Sequence, residues 1–250
     1  MDLSYQLYSS REDSDLADVL KHLSATGYTQ VEGFGGVMGD PAGLRAMMDE
    51  LGLTMPSAHV AIDDLENKFD EMVALAATLG IQTLYAPYLM PDQRPTDRAG
   101  WTAFAQRLAA VGQSLTAAGY NFGWHNHDFE FATLEDGSTP MEVILETASE
   151  IEWEADVAWI VRGGADPFAW IEKYGSRITS VHLKDIAPDG ENADEDGWAD
   201  VGEGVMPWAD LLKAVRSQSA TKTFVMEHDR PSDPRRFAER AYSNVRKMSA

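Results

Sequence analysis

Short runs of apolar and β-branched residues alternate along the chain with longer stretches whose apolar residues recur three and four positions apart. These are the patterns of buried strands and amphipathic helices. The strand-like runs are Leu3–Tyr8, Gln30–Glu32, Thr54–His59, Thr83–Tyr88, Phe122–His125, Glu152–Asp156, Ser180–His182 and Thr223–Glu227, eight in all. Helical stretches such as DLADVLKHLSATG, PAGLRAMMDELG, NKFDEMVALAATLG and WTAFAQRLAAVGQSLTAAG lie between them, each ending at a glycine a few residues before the next strand. Glycine is the usual residue just past a helix C-terminus. Later helices open on Asp or Pro, in DPFAW, MPWADLL and DPRRF, as a first helical turn favours. Eight strand–helix units predict an α/β fold closed into a single (β/α)8 TIM barrel. An open doubly wound sheet would carry a GxGxxG or P-loop turn after an early strand, and none is present. The length of 250 residues suits one such barrel over residues 1–250, with no linker or second domain. The acidic, glycine-containing stretch Asp189–Asp200 reads as a mobile loop after the seventh strand.

Charge narrows the partners. The formal net charge of −21 opposes binding to nucleic acid or to anionic lipid. No apolar run approaches the roughly 20 residues of a membrane span, and Met1 to Tyr8 lacks a signal peptide's basic and apolar regions. The absence of cysteine removes disulfides, thiolate metal sites and Cys nucleophiles, and agrees with a reducing compartment. A cytoplasmic protein with a small-molecule substrate is the expectation.

The histidines then locate the chemistry. Of six, His59, His125, His127, His182 and His228 fall at or just beyond the C-terminal ends of strand-like runs, and only His22 sits in a helix. Barrel strand ends converge on one mouth, where such enzymes place their active sites. Asp156 ends the sixth run and Glu227 the eighth, so the mouth mixes imidazole and carboxylate, donors that suit Mn²⁺, Zn²⁺, Co²⁺ or Fe²⁺. A lone histidine in a loop is as readily a satisfied polar residue as a ligand, which keeps His59 and His228 secondary. HNHDFEF, His125–Phe131, is harder to assign to packing, because two imidazoles and a carboxamide at one strand end are costly to desolvate without partners. Trp124, Trp153 and Trp159 flank these positions, either as packing or as sugar platforms. Lys184 and Asp185, in VHLKD, contact substrate or each other. Glu130 reads as a helix-facing or a loop carboxylate.

The ordered set YQLYSSRED, GYTQVEGF, SAHV, GWHNHDFEF, EADVAWI, VHLKD and VMEHD resembles, along the whole chain, the sugar phosphate isomerase/epimerase superfamily with the xylose isomerase-like barrel. That group also contains endonuclease IV, which this chain resembles in fold only. The resemblance implies one divalent metal, Mn, Zn, Co, Fe or Mg, held by four side chains. Asp156, His182 and Glu227 match three of them. At the fourth position epimerases of the group carry glutamate, paired with the glutamate matching Glu227 to move a proton on either face of the substrate. This chain has His125 there, as in members with HNH or HHH. Homo-oligomers are common in the group.

These readings converge on a metal-dependent isomerase or epimerase of a sugar, keto-sugar or inositol-like substrate, in which a proton is removed beside a metal-polarised carbonyl. Glu227 or His127 is the expected base, Lys184 an electrophilic helper, and Gln6, His59, Trp159 and Lys184 the expected substrate contacts. The alternatives are a lyase or dehydratase, including one that cleaves keto-glycosides, and a non-catalytic sugar-binding barrel or partner subunit.

Overall fold

The computed structural model of the chain describes residues 2–249. Its strands are β1 (Leu3–Gln6), β2 (Gln30–Phe34), β3 (Thr54–His59), β4 (Thr83–Ala86), β5 (Asn121–His125), β6 (Glu152–Asp156), β7 (Ile178–Leu183), β8 (Asp185–Ile186), β9 (Trp198–Ala199) and β10 (Thr223–Met226). Seven of these and β10 form a closed parallel barrel in the order β1-β10-β7-β6-β5-β4-β3-β2, sealed by pairing of β1 with β2. The helices are α1 (Leu16–Thr26), α2 (Pro41–Leu51), α3 (Ile62–Asn67), α4 (Phe69–Leu79), α5 (Arg98–Ala117), α6 (Pro140–Thr147), α7 (Val157–Arg162), α8 (Pro167–Tyr174), α9 (Trp208–Gln218) and α10 (Pro234–Met248). The (β/α)8 expectation is met.

Local chemistry sets the ends. Asp15, Asp40, Asp97, Asp166 and Asp233 accept first-turn N–H groups at their helices, and α2, α6, α8 and α10 begin with proline. Gly27, Gly52 and Gly80 follow α1, α2 and α4 at positive φ, a conformation costly for other residues. Two strands are shorter than the sequence suggests. After Gln6 the chain turns into a 3-10 helix, Leu7–Ser10, with the Gln6 side chain accepting from Tyr8 N. β4 stops at Ala86, before Pro87 and Tyr88.

The largest difference from expectation is Asp189–Asp200. This stretch is not a free loop, since β8 and β9 pair antiparallel across it. Asn192 and Asp196 take left-handed turns, and Glu195 accepts from Ser232 N and from Arg236 at 2.8 Å. Asp185 supports the return, accepting from the backbone of Ile186, Gly202 and Met206 rather than touching Lys184. A Cβ on Gly204 would lie 2.2 Å from Asp185 Oδ1, so only glycine fits there.

Apolar side chains fill the layer between strands and helices. Val31, Leu84, Phe122, Trp124, Trp153, Val181 and Leu183 belong to that one cluster, together with Leu20, Met48, Leu108, Ile144 and Phe237 from the helices. No helix among the described residues is long and apolar enough to cross a membrane.

Candidate metal centre

Alternate residues on each strand point into the barrel, and here most of them are polar. Gln6, Glu32, Ser57, His125, Glu154, Asp156, Ser180, His182 and Lys184 are all buried. Contacts between strands that are not neighbours prove their inward direction: Glu32 of β2 lies 2.7 Å from His182 of β7, and His59 of β3 lies 2.6 Å from Glu154 of β6.

Four donors gather at the strand ends. One ligand atom from each of His125, Asp156, His182 and Glu227 lies within 4.8 Å of the others. Asn126 fixes this corner, because its carboxamide accepts from Asp156 N at 3.0 Å and from Trp153 Nε1 at 2.9 Å while donating to Asp156 O at 3.0 Å. Asp156 caps α7 through Oδ1, which accepts from Trp159 N. Its Oδ2 is buried and makes no hydrogen bond. His182 Nδ1 stands 2.9 Å from Glu227 Oε2. Lys184 Nζ is surrounded by Asp229 Oδ1 at 2.8 Å, Glu227 Oε2 at 2.9 Å and Asp156 Oδ2 at 3.1 Å. A buried mixed set of two imidazoles and two carboxylates fits a divalent transition ion.

The protonation pattern follows from burial and neighbours. Burial alone would neutralise Lys184, but Asp156, Asp229 and Glu227 hold its pKa above the usual lysine value. Burial likewise opposes ionisation of Glu227, and Lys184 and His182 overcome it, keeping this carboxylate ionised. His182 is raised against its burial by Glu154, Glu227 and Glu32. His125 is pushed down to about 4 by burial and by His182. His127 is pushed down by burial, with His125 and Lys184 adding to it, so it is neutral at pH 7.

Above these residues lies a cavity of about 840 Å³. His59, His125, His127, Trp159, Glu227 and Asp229 line one side, and Phe34, Met38, Val60, Met72 and Leu75 the other. His127 is braced from behind by Glu130, which accepts from His127 N at 2.9 Å and from Trp124 Nε1 at 3.0 Å. Burial lifts that carboxyl to about 8.

The sequence-derived residues separate accordingly. His125, Asp156, His182 and Glu227 come together, and His59, His127 and Trp159 face the cavity. Lys184 pairs with three carboxylates, Asp156, Glu227 and Asp229, and lies outside the cavity lining where a substrate contact was expected. Gln6 is fully buried, donates to Glu32 at 2.9 Å and lies outside the cavity lining, because the 3-10 turn at Leu7 carries the chain away. Trp124 and Trp153 pack outside the barrel, since odd and even strand positions face opposite ways. His228 is also turned away: its ring Nδ1 accepts from Arg230 N at 3.1 Å, and the ring packs on Phe237 with centroids 5.4 Å apart. Glu32, Glu154 and Asp229 were not singled out from sequence, and Asn126 only as the carboxamide of HNHDFEF. The available signal was period-2 polarity, as in Glu152, Glu154 and Asp156 or Ser180, His182 and Lys184, inside strands otherwise apolar.

Residues 13–247 match the xylose isomerase-like TIM barrel family. The chain belongs to that family. Within it, the chain is 23% identical over 200 residues to the inosose dehydratase of Klebsiella pneumoniae (strain 342). That match covers 70% of this chain and 66% of the relative, just under two thirds of its length. A sugar phosphate isomerase/epimerase from Parabacteroides distasonis ATCC 8503 superposes with a TM-score of 0.80 at 23% identity, over 100% of this chain and 94% of that one. The IolI protein, whose structure holds a zinc atom, superposes with a TM-score of 0.78 at 16% identity, over 100% of this chain and 96% of that one. At such identities the structural likeness shows the shared xylose isomerase-like barrel and no more.

Proposed function

We propose that this barrel is a divalent-metal-dependent isomerase or epimerase of a small polyhydroxy ketone or aldehyde, a sugar, keto-sugar or inositol-like compound. The observation that carries this reading is the convergence of His125, Asp156, His182 and Glu227 within 4.8 Å beside a large cavity. A bound cation would supply Lewis-acid polarisation of a carbonyl and offset negative charge developing on its oxygen. Asp156 and Glu227 bring two negative charges to that place, with His125 and His182 as nitrogen donors. Lys184 gathers Asp156, Glu227 and Asp229 around one ammonium, which orients all three and keeps Glu227 ionised. Glu227 lines the cavity and removes the proton from the carbon beside the carbonyl. His127, neutral and with Nδ1 buried and unpartnered, is the second proton-handling group on the same wall. Trp159 and His59 shape the floor.

A second reading, a dehydratase or lyase, is favoured by the likeness to inosose dehydratase. It begins with the same proton removal and ends with loss of a β-substituent, whose departure His127 would assist. Both are tested by incubating metal-loaded protein with ketoses, inososes and keto-glycosides in D₂O, read by NMR. Deuterium at the carbon beside the carbonyl, with an isomeric product, supports the first reading. An unsaturated product supports the second. Binding without exchange or turnover across the panel would leave a non-catalytic sugar-binding barrel.

A further inference from the structure

Below the mouth, the inside of the barrel holds a second group of donors, which shares His125 and His182 with the mouth set and adds the buried carboxylates Glu32 and Glu154, to which the proposed reaction gives no role. His59 Nε2 lies 2.6 Å from Glu154 Oε2 and 3.4 Å from Glu32 Oε1. His182 Nε2 lies 2.7 Å from Glu32 Oε1 and 3.2 Å from Glu154 Oε2. His125 Nδ1 stands 3.2 Å from Glu154 Oε2 yet makes no hydrogen bond. His59, His125, Glu154 and His182 each offer an atom within 4.8 Å of the other three.

We propose that His59, His125, Glu154 and His182, with Glu32 alongside, form a second divalent-cation site inside the barrel, joined to the mouth site by His182 as a bridging imidazolate whose ring protons are released to solvent.

Distances, charge and spare valence support this together. Bonds of about 2.1 Å place tetrahedral ligand atoms roughly 3.4 Å apart. The 3.2–3.4 Å contacts already match that spacing, while the 2.6 Å and 2.7 Å contacts are hydrogen bonds that would open toward it on binding. Glu32 and Glu154 are both fully buried, and the one lysine in the barrel is spent on Asp156, Glu227 and Asp229. Among the described residues, the titratable side chains that meet the inner two carboxylates are imidazoles, which offer charge only by taking a proton, while Ser57 and Gln6 donate uncharged hydrogen bonds. A dication would balance both carboxylates at once. Glu154 Oε1 is buried without any hydrogen bond, an atom left over after the protein's own contacts are counted. Glu32 is aimed by others: Ser57 Oγ donates to its Oε2, and Gln6 Nε2 donates to its Oε1. Such outer support is usual behind metal-binding carboxylates. Imidazole nitrogen with carboxylate oxygen selects Zn²⁺, Co²⁺ or a similar ion over Ca²⁺. His59 and His125 line the cavity, which gives the ion a way in. His182 shows the same duality, since Nδ1 meets Glu227 while Nε2 meets Glu32, so one imidazole serves two centres.

The test is metal stoichiometry on the full chain. Protein stripped with chelator and reloaded with Co²⁺ or Zn²⁺ near pH 7.5 should hold two equivalents by elemental analysis. Mn²⁺ loading should give an exchange-coupled EPR signal in place of an isolated-ion one. Glu154→Gln should drop the count to one equivalent and remove the coupling. His59→Gln, which alters a less buried side chain, repeats the measurement if the first variant folds poorly, with circular dichroism as the check on folding. Saturation of the wild type at one equivalent would overturn the inner site, showing that protons neutralise Glu32 and Glu154, and would leave the mouth site standing. Two equivalents retained in both folded variants would overturn it too. No binding at all would remove the mouth site as well.

Discussion

The barrel has two interiors of opposite character. Outside the strands, Trp124, Trp153, Leu84, Val181 and Phe237 pack in a continuous apolar layer against the helices. Inside them, where barrels of this class usually stack Val, Ile and Leu, the chain places Gln6, Glu32, Ser57, His59, His125, Glu154, Asp156 and His182. Tyr85 is the large ring of the lower lumen. Its hydroxyl reaches Thr179 across the barrel at 3.0 Å, and a Cβ on Gly123 would stand 2.6 Å from the ring, so this strand position must be glycine. The contrast assigns stability to the outer layer and chemistry to the inner one. Burying four carboxylates among imidazoles costs free energy that an apolar lumen would not. The two layers therefore should fail differently when altered.

The largest effect is expected in the outer layer. Phe237 is fully buried and packs against Tyr5 with ring centroids 5.7 Å apart. Phe237→Ala should lower unfolding free energy by about 3–5 kcal/mol in urea titrations. The folded fraction should keep the wild-type metal content. A loss of metal without loss of stability would erase the distinction between layers.

The next effect belongs to the mouth. Glu227→Gln keeps the size of the side chain and removes its basicity, so solvent exchange into substrate should fall by about 10²-fold. Metal content is measured in the same sample, because Glu227 also sits among the four donors. Undiminished exchange by a metal-loaded variant would transfer the base role to His127.

How far the sequence reveals these two layers differs for the same physical reason. Apolar runs and glycine-ended helices announce the strands and their order, since every barrel strand must bury its outer face. His125, Asp156, His182 and Glu227 were legible because strand ends are places where polar residues stand out. Glu154 sits two positions inside β6, where its alternation with Trp153 and Ala155 looks like an ordinary half-exposed strand, and Glu32, although it ends the run Gln30–Glu32, is a lone carboxylate between Val31 and Gly33 with no imidazole beside it in sequence. The acidic stretch around Glu195 misled for another reason. Its partners, Ser232 and Arg236, lie 37 and 41 residues away, and local composition carries no trace of them.

A smaller effect separates the two histidines of HNHDFEF. His125→Ala should weaken metal binding at least about tenfold, as expected for a coordinating or supporting group. His127→Ala should leave metal affinity unchanged and reduce turnover, because His127 faces the cavity outside the four-donor set. Isothermal titration with Zn²⁺ or Co²⁺, run beside turnover assays, reads both. Exchanged phenotypes would exchange the roles.

The smallest effect sharpens the contrast by using a carboxylate at the rim, where a guanidinium rather than a metal or imidazole supplies the charge. Glu195 accepts from Ser232 N and Arg236 Nη2, and these bonds more than offset its burial, holding its carboxyl at about 2. A carboxyl of depressed pKa contributes stability above its unfolded value, roughly 4.3, and that contribution disappears as the pH falls toward the folded one. Arg236 is partly exposed, so the contribution at pH 7 should be only about 1 kcal/mol. Glu195→Gln should therefore be less stable than the wild type by that amount from pH 6 to 8, with the gap narrowing between about pH 4 and pH 2. Because no mouth or inner donor is involved, the gap should be the same with chelator present or with metal in excess. A gap that persists undiminished down to about pH 2.5, or one that changes with metal, would show that Glu195 acts through the barrel interior instead of through its ion pair with Arg236.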